Sequence, residues 1–184
     1  MQALSELVSE HLQTEGYVFR RSPNTVEPEF ETRIIAENCI ADCRILVDDR
    51  KRRLQLSVSS GIRAPLDRSA QLQLFLFQMS LGRRRQVCRH SERTGEIALV
   101  SVATLAHREL SRQEFVAFIG DAVARFDGCF PFLARIIYAG MDGGEAYRAY
   151  YSRNAGGSTI GQPDEINRVF EKLFEDYQPP DSET

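Results

Sequence analysis

CIADCRILVDDRKRRLQLSVSS, residues 39–60, decides the fold. Cys39, Ala41, Cys43, Ile45 and Val47 alternate with Asp42 and Arg44, and Leu54, Leu56 and Val58 alternate with Gln55, Ser57 and Ser59. A period of two puts each apolar set on one face of a strand and gives the other face to water. Between the two runs, Asp48 to Arg53 (DDRKRR) reads as an exposed, charged hairpin connection. Antiparallel strands that are apolar on one side need a second layer over that side. The flanking sequence therefore has to supply helices.

It does so on both sides. Leu4, Leu7, Val8, His11 and Leu12 recur at helical spacing, and Gly16 suits a left-handed cap. Tyr17 to Arg21 reads as extended, Ser22-Pro23-Asn24 as a turn, and Phe30 to Ala36 as a strand with Phe30, Thr32, Ile34 and Ala36 on one face. After a break at Gly61 to Pro65 comes Leu66 to Leu81. Leu72, Leu74 and Leu76 alternate there as in a strand, but the length and the lack of Val, Ile or Thr favour a helix. Such a helix is apolar around most of its circumference and is buried on more than one side. Arg83 to His90 and Glu96 to Leu105 read as strands joined by a turn at Glu92 to Gly95.

Ser111-Arg-Gln-Glu114 is a capping box, followed by a helical face of Phe115, Phe118, Ile119, Ala122, Val123 and Phe126. Gly128 and Pro131 predict a bent or two-piece helix before Phe132 to Tyr138 resumes. Beyond Gly140 the character changes. Glycine pairs at 143–144 and 156–157 bracket EAYRAYYSRNA, which reads as a linker, and Pro163 to Tyr177 predicts one amphipathic helix with Val169, Phe170, Leu173 and Phe174 as its stripe. The expected fold class is α+β: helix, three antiparallel strands, helix, two strands, long helix over residues 1–140, then a C-terminal extension over 141–184.

A chain of 184 residues suits one domain with an appendage, and 42% apolar with 27% charged residues is ordinary for a globular protein. No apolar run reaches the ~18 residues of a membrane span, and Met1 to Glu15 lacks the pattern of a signal peptide. The cytoplasm is therefore the expected location, with Cys39, Cys43, Cys88 and Cys129 reduced. The net charge of -3 hides an asymmetry: residues 50–95 carry eleven bases against two acids, while both ends are acidic. That basic third either draws an acidic partner or balances the acidic ends of the same fold.

Three stretches carry a resemblance. LFLFQMSLGRRRQVCRHSERTGEIALVSVATL (74–105) is a helix, a strand, a turn and a strand; LSRQEFVAFIGDAVARFDGCFPFL (110–133) is a serine-capped helix running into an aromatic–proline segment; the hairpin at 39–60 is the third. Together they make the region from about Leu4 to Gly140 resemble the YbjN family, which shares its fold with type III secretion chaperones. The resemblance implies a sheet-and-helix α+β fold, often dimeric, that works by binding another protein. It implies no catalytic residues.

The chemical candidates are weak by their spacing. Cys39 and Cys43 with Cys88 and His90 supply zinc-binding residue types, but the alternation fits buried structural cysteines better. No motif supports Cys129 with His107 as a nucleophile pair, and Asp48 with Asp49 lies in a charged turn. No phosphate-cradling glycine loop is present, and no cofactor, metal or catalytic residue is expected. Arg83, Arg84, Arg85 and Arg89 form a candidate basic patch. Without interleaved aromatics, and with a net acidic chain, they argue against nucleic acid.

Two apolar surfaces remain as protein-interaction candidates. Leu72, Phe75, Leu76 and Met79 belong to a helix too apolar for one neighbour, so it faces a second chain or lies under the C-terminal extension. Phe170 and Phe174 lie on the last predicted helix, which folds back on its own domain, crosses to a partner subunit or caps a groove. The expectation is a non-enzymatic, cytoplasmic, chaperone-like or regulatory module. It would bind an apolar segment of a protein partner as a homodimer. The alternative is a small-ligand-binding protein or enzyme whose pocket no motif reveals.

Overall fold

A computed structural model describes residues 2–22, 27–81, 85–106 and 108–154. In chain order the elements are α1 (Leu4–Thr14), β1 (Phe19–Arg21), β2 (Glu29–Ile35), β3 (Ile40–Asp48), β4 (Arg53–Arg63), α2 (Ser69–Ser80), β5 (Gln86–His90), β6 (Glu96–Thr104), α3 (Arg112–Ala139) and α4 (Gly143–Asn154). The fold is α+β, as the sequence leads one to expect. Every strand pairing is antiparallel, in the order β1-β2-β3-β4-β6-β5. Four strands precede α2 rather than three, because the extended Tyr17–Arg21 segment contributes the short edge strand β1.

The alternation in residues 39–60 does what a period of two requires. Cys43 stands opposite Thr32 on one side and Val58 on the other, and Ile45 stands between Phe30 and Leu56. These residues, with Ala41, Val47, Leu54, Ile97 and Leu99, are buried on one face. α1 and α3 cover that face with Leu4, Val8, Leu12, Phe115, Ile119, Phe126 and Leu133. The connection after β3 is more than a solvated turn. Asp49 accepts from the Ser5 backbone amide (2.9 Å) and the Ser5 hydroxyl (2.7 Å), so it caps the start of α1. Asp48 is buried and accepts from the Lys51 amide at 2.9 Å. Arg52, at φ 49°, donates to the carbonyls of Gln2 and Arg108, both at 3.1 Å, tying α1 to the loop before α3.

The Ser111–Glu114 capping box forms as read: Ser111 Oγ accepts from the Glu114 amide at 3.2 Å, and Glu114 accepts from the Ser111 amide at 3.1 Å. The helix it starts is continuous from Arg112 to Ala139, with Pro131 inside, so Gly128 and Pro131 do not divide it. One buried face runs across them through Phe126, Cys129, Phe132, Leu133 and Ile136. Packing along that face outweighs the single backbone bond that proline removes.

α4 occupies what reads as a glycine-flanked linker. Asp142 caps it, accepting from the amides of Gly144 and Glu145 at 3.0 Å. Gly143 permits a close approach: a Cβ there would lie 2.0 Å from the Gln71 carbonyl oxygen. Ala146 and Tyr147 join the same core, and the Tyr150 ring meets Phe75 (6.3 Å) and Phe132 (5.7 Å) edge-on. Thus α4 lies over both α2 and α3. Among the described residues no helix is long and apolar enough to cross a membrane.

Candidate protein-interaction surface

The four interaction candidates on α2 are not at a surface. Leu72 and Phe75 are fully buried, and Leu76 and Met79 are 3% exposed. β5 lies against α2 on one side, and α3 and α4 close the others. The apolar circumference read in the sequence is real, and neighbours within the same chain account for it. Arg85 and Arg89 are exposed. Arg85 sits near one end of the sheet, where its carbonyl accepts from Val102, and Arg89 pairs with Ala98 toward the other. Phe170, Phe174, Arg83, Arg84 and His107 lie outside the described residues.

The cysteines behave as core. Burial pushes the Cys39 and Cys43 thiols up to about 12 and the Cys88 thiol to about 11, and burial raises Cys129 well above its ordinary value too. They are protonated at neutral pH and so are poor nucleophiles and poor ligands. Among the described residues no group of three or more His, Cys, Asp or Glu could hold a metal ion. One pair of reactive types escaped the sequence reading. Ser69 Oγ lies 3.4 Å from His90 Nδ1, and Gln73 bridges Ser69 (3.4 Å) to Glu92 (2.8 Å). Ser69 is buried and His90 Nε2 is closed off from solvent, so this cluster serves to join α2 to β5. Burial lowers the His90 pKa, which keeps the ring neutral.

The surface that stays open is the other face of the sheet. All residues at alternate register positions from the core point to it: Glu29, Glu31, Arg33 and Ile35 on β2, Asp42, Arg44 and Leu46 on β3, and Gln55, Ser57 and Ser59 on β4. β6 adds Ala98, Val100 and Val102, and β5 adds Val87 and Arg89. None of these outer-face residues is buried, whereas most of their neighbours in sequence on the core face are. No described helix lies over them. The β1–β3 half is polar and self-paired: Arg44 Nε to Glu29 (2.9 Å), Arg33 Nε to Asp42 (2.7 Å) and Arg20 Nη2 to Glu31 (2.5 Å). A groove of about 600 Å³ opens there, lined by Arg33, Asp42, Arg44, Ser59, Gly61 and Glu96 among others. The β4–β6–β5 half is different. Val87, Val100, Val102, Ala98 and, across Gln55, Leu46 form an apolar strip, with Arg53, Arg85 and Arg89 around it. Two more exposed apolar residues, Ile35 and Ile40, face each other at the end of the β2–β3 hairpin.

That hairpin end is held rigidly. Asp127 on α3 accepts from the Asn38 amide (2.7 Å), the Asn38 side-chain amide (2.8 Å) and the Cys39 amide (3.0 Å). The position of the outer-face isoleucines is therefore set by a buried carboxylate on the opposite layer. No protein-family model matches the chain, and no curated protein matches it either.

Proposed function

We propose that the chain is a non-enzymatic, cytoplasmic protein-binding module whose binding surface is the uncovered outer face of its sheet. The observation that carries this reading is a six-stranded sheet with helices on one side, whose bare face combines an apolar strip with a groove and exposed arginines. An antiparallel sheet tolerates a wet face when that face is polar. Here half of it is not, and an apolar strip rimmed by charge suits a partner's apolar segment with acidic flanks. The resemblance of the sequence to the YbjN family and to chaperone-like proteins supports the same mode of action. Because Leu72, Phe75, Leu76 and Met79 are buried, the proposal takes the sheet rather than the helix read in the sequence as the binding surface.

The test places a photo-crosslinking residue at Ser57 on the outer face, and separately at Asp121 on the exposed side of α3, in the full chain. In native cell extract, Ser57 should capture a discrete protein that Asp121 does not. Capture at neither position, or equally at both, rejects the reading. A small ligand in the groove is the alternative. It would show as added mass on the gently purified protein, lost when Arg44→Glu alters the groove.

A further inference from the structure

We infer that the edge of the sheet at β1 takes an extended segment of a partner protein as an added strand, and that this segment carries two acidic residues followed by two apolar ones. The site is an edge rather than the outer face, so the inference goes beyond the proposed function. The two edges of the sheet differ. In an antiparallel ladder, alternate residues turn their N–H and C=O groups to the same side. On β5 the Arg85 carbonyl and the Ser91 amide bond to β6, so Cys88 turns outward. There its amide donates to Ser80 Oγ of α2 at 3.0 Å, and α2 packs along the strand. The fold closes that edge itself. On β1 the Ser22 amide donates to the Glu29 carbonyl at 2.9 Å, and Arg20 stands opposite Glu31. These two residues face β2, so Phe19 and Arg21 turn their amides and carbonyls to the far side. β1 is the last strand of the sheet, and no hydrogen bond from another described element meets those groups.

The side chains along this edge say what strand fits it. Val18, just before β1, is 91% exposed. Phe19 packs against Phe30 with ring centroids 5.8 Å apart, yet it is only half-buried, as is Tyr17 beside it. Apolar surface is thus left bare at the edge, and a further strand would cover it. Arg20, paired with Glu31, keeps its side chain 79% exposed. Arg21 lies over the Phe30 ring at 5.7 Å and holds no ion pair among the described residues. Every pairing in this sheet is antiparallel. An added antiparallel strand sets its successive residues opposite Arg21, Arg20, Phe19 and Val18. Acids suit the first two positions and apolar residues the last two. Main-chain bonds to Phe19 and Arg21 supply affinity, and the cross-strand side chains supply selectivity. The same arginines discourage indiscriminate pairing. Two copies joined about Arg20 would set one Arg20 against the other, which like charges oppose.

The experiment follows amide hydrogen exchange in the purified full chain, with the labelled octapeptide acetyl-Thr-Thr-Glu-Glu-Val-Val-Thr-Thr-amide as the probe. In the free chain the Arg20 and Ser22 amides should exchange slowly and those of Phe19 and Arg21 fast. Saturating peptide should slow Phe19 and Arg21 at least about tenfold. Lysine in place of the glutamates, or N-methylation of the first glutamate and the first valine, should weaken binding about tenfold. Arg21→Pro removes an outward amide and no bond to β2, and should weaken binding to the same extent. Arg21→Glu leaves every backbone group in place and should erase the preference for the glutamate peptide over the lysine one. Slow exchange at Phe19 and Arg21 in the free chain, absence of binding, protection at β5 instead, or an N-methylated peptide that binds like its parent would each overturn the inference. Capture at Ser57 reports on the outer face alone, so the two readings fail separately.

Discussion

Replacing Asp127 by alanine removes the carboxylate whose hydrogen bonds fasten the β2–β3 hairpin to α3. Its carboxylate is 8% exposed and accepts three hydrogen bonds from Asn38 and Cys39. Each bond to a charged acceptor is worth upward of ~1 kcal/mol net, and two of the donors are backbone amides that would be left part-buried without a partner. The expected loss is about 3 kcal/mol, which lowers the melting temperature by about 6–12 °C in a chain of this size. Urea denaturation is the assay, with the midpoint falling and the slope unchanged. The pH dependence supplies a second check. Burial works to raise the Asp127 pKa, but the bonds from Asn38 and Cys39 outweigh it and hold the carboxyl below its ordinary value. A depressed folded value means that the stabilisation is fully present above the ordinary carboxylate pKa of about 3.9 and disappears as pH falls through the folded value. The gap between wild type and Asp127→Ala should therefore be constant from pH 7 to about 5 and close below about 4. A loss under about 1 kcal/mol at pH 7, or a gap still fully open at pH 2, would refute the assignment.

Gly143→Ala places a methyl 2.0 Å from the Gln71 carbonyl oxygen, a backbone atom that cannot turn away. α4 should shift off α2 with a loss of about 2 kcal/mol. The chain has no tryptophan, and Tyr147, Tyr150 and Tyr151 of α4 make up half of its six tyrosines, so a change in tyrosine fluorescence checks this. Leu72→Ala should destabilise by about 2–5 kcal/mol in urea, since the side chain is fully enclosed; a loss below about 1 kcal/mol would mean that α2 is not a core helix. Thiol labelling at pH 8 should be slow at all four cysteines in the native protein and fast in denaturant, because burial pushes every one of these thiols well above its ordinary value. Fast native labelling at Cys129 would show that the α3 face opens.

The strands were legible in the sequence because each obeys one simple period. The inward set Ala41, Cys43, Ile45, Val47 is what alternation alone picks out, and the structure buries every member. The capping box at Ser111 was legible for a similar reason: both halves of the signal are local. The features that escaped depend on residues distant in sequence. Pro131 and Gly128 read as a break because local propensity says so, while the face that keeps α3 whole is paid for by contacts with α2, α4 and the sheet. The helix at 143–154 did have a local signal, Asp142 followed three residues on by Glu145, but glycine pairs masked it. Gly143 is there for closeness to Gln71, a contact that spans 72 residues and leaves no trace in the local pattern. The outer face was legible residue by residue as polar alternation. That its β6 and β5 positions are valine and alanine rather than charge becomes significant only once the sheet order sets them side by side.

That order also decides what the basic middle third does. Much of its charge is committed within the fold. Arg52 is spent on the carbonyls of Gln2 and Arg108, Arg63 donates to the Thr94 carbonyl at 2.7 Å, and Arg53 stands beside Asp48. What is left near the apolar strip is Arg89 on β5 and Arg85 just before that strand, about 13 Å apart by strand spacing. At physiological ionic strength exposed charges act over about 8 Å. Each arginine can therefore orient only an acid that comes to its own end of the strip. A ligand that uses both must be rod-like, apolar along the middle and acidic toward its ends.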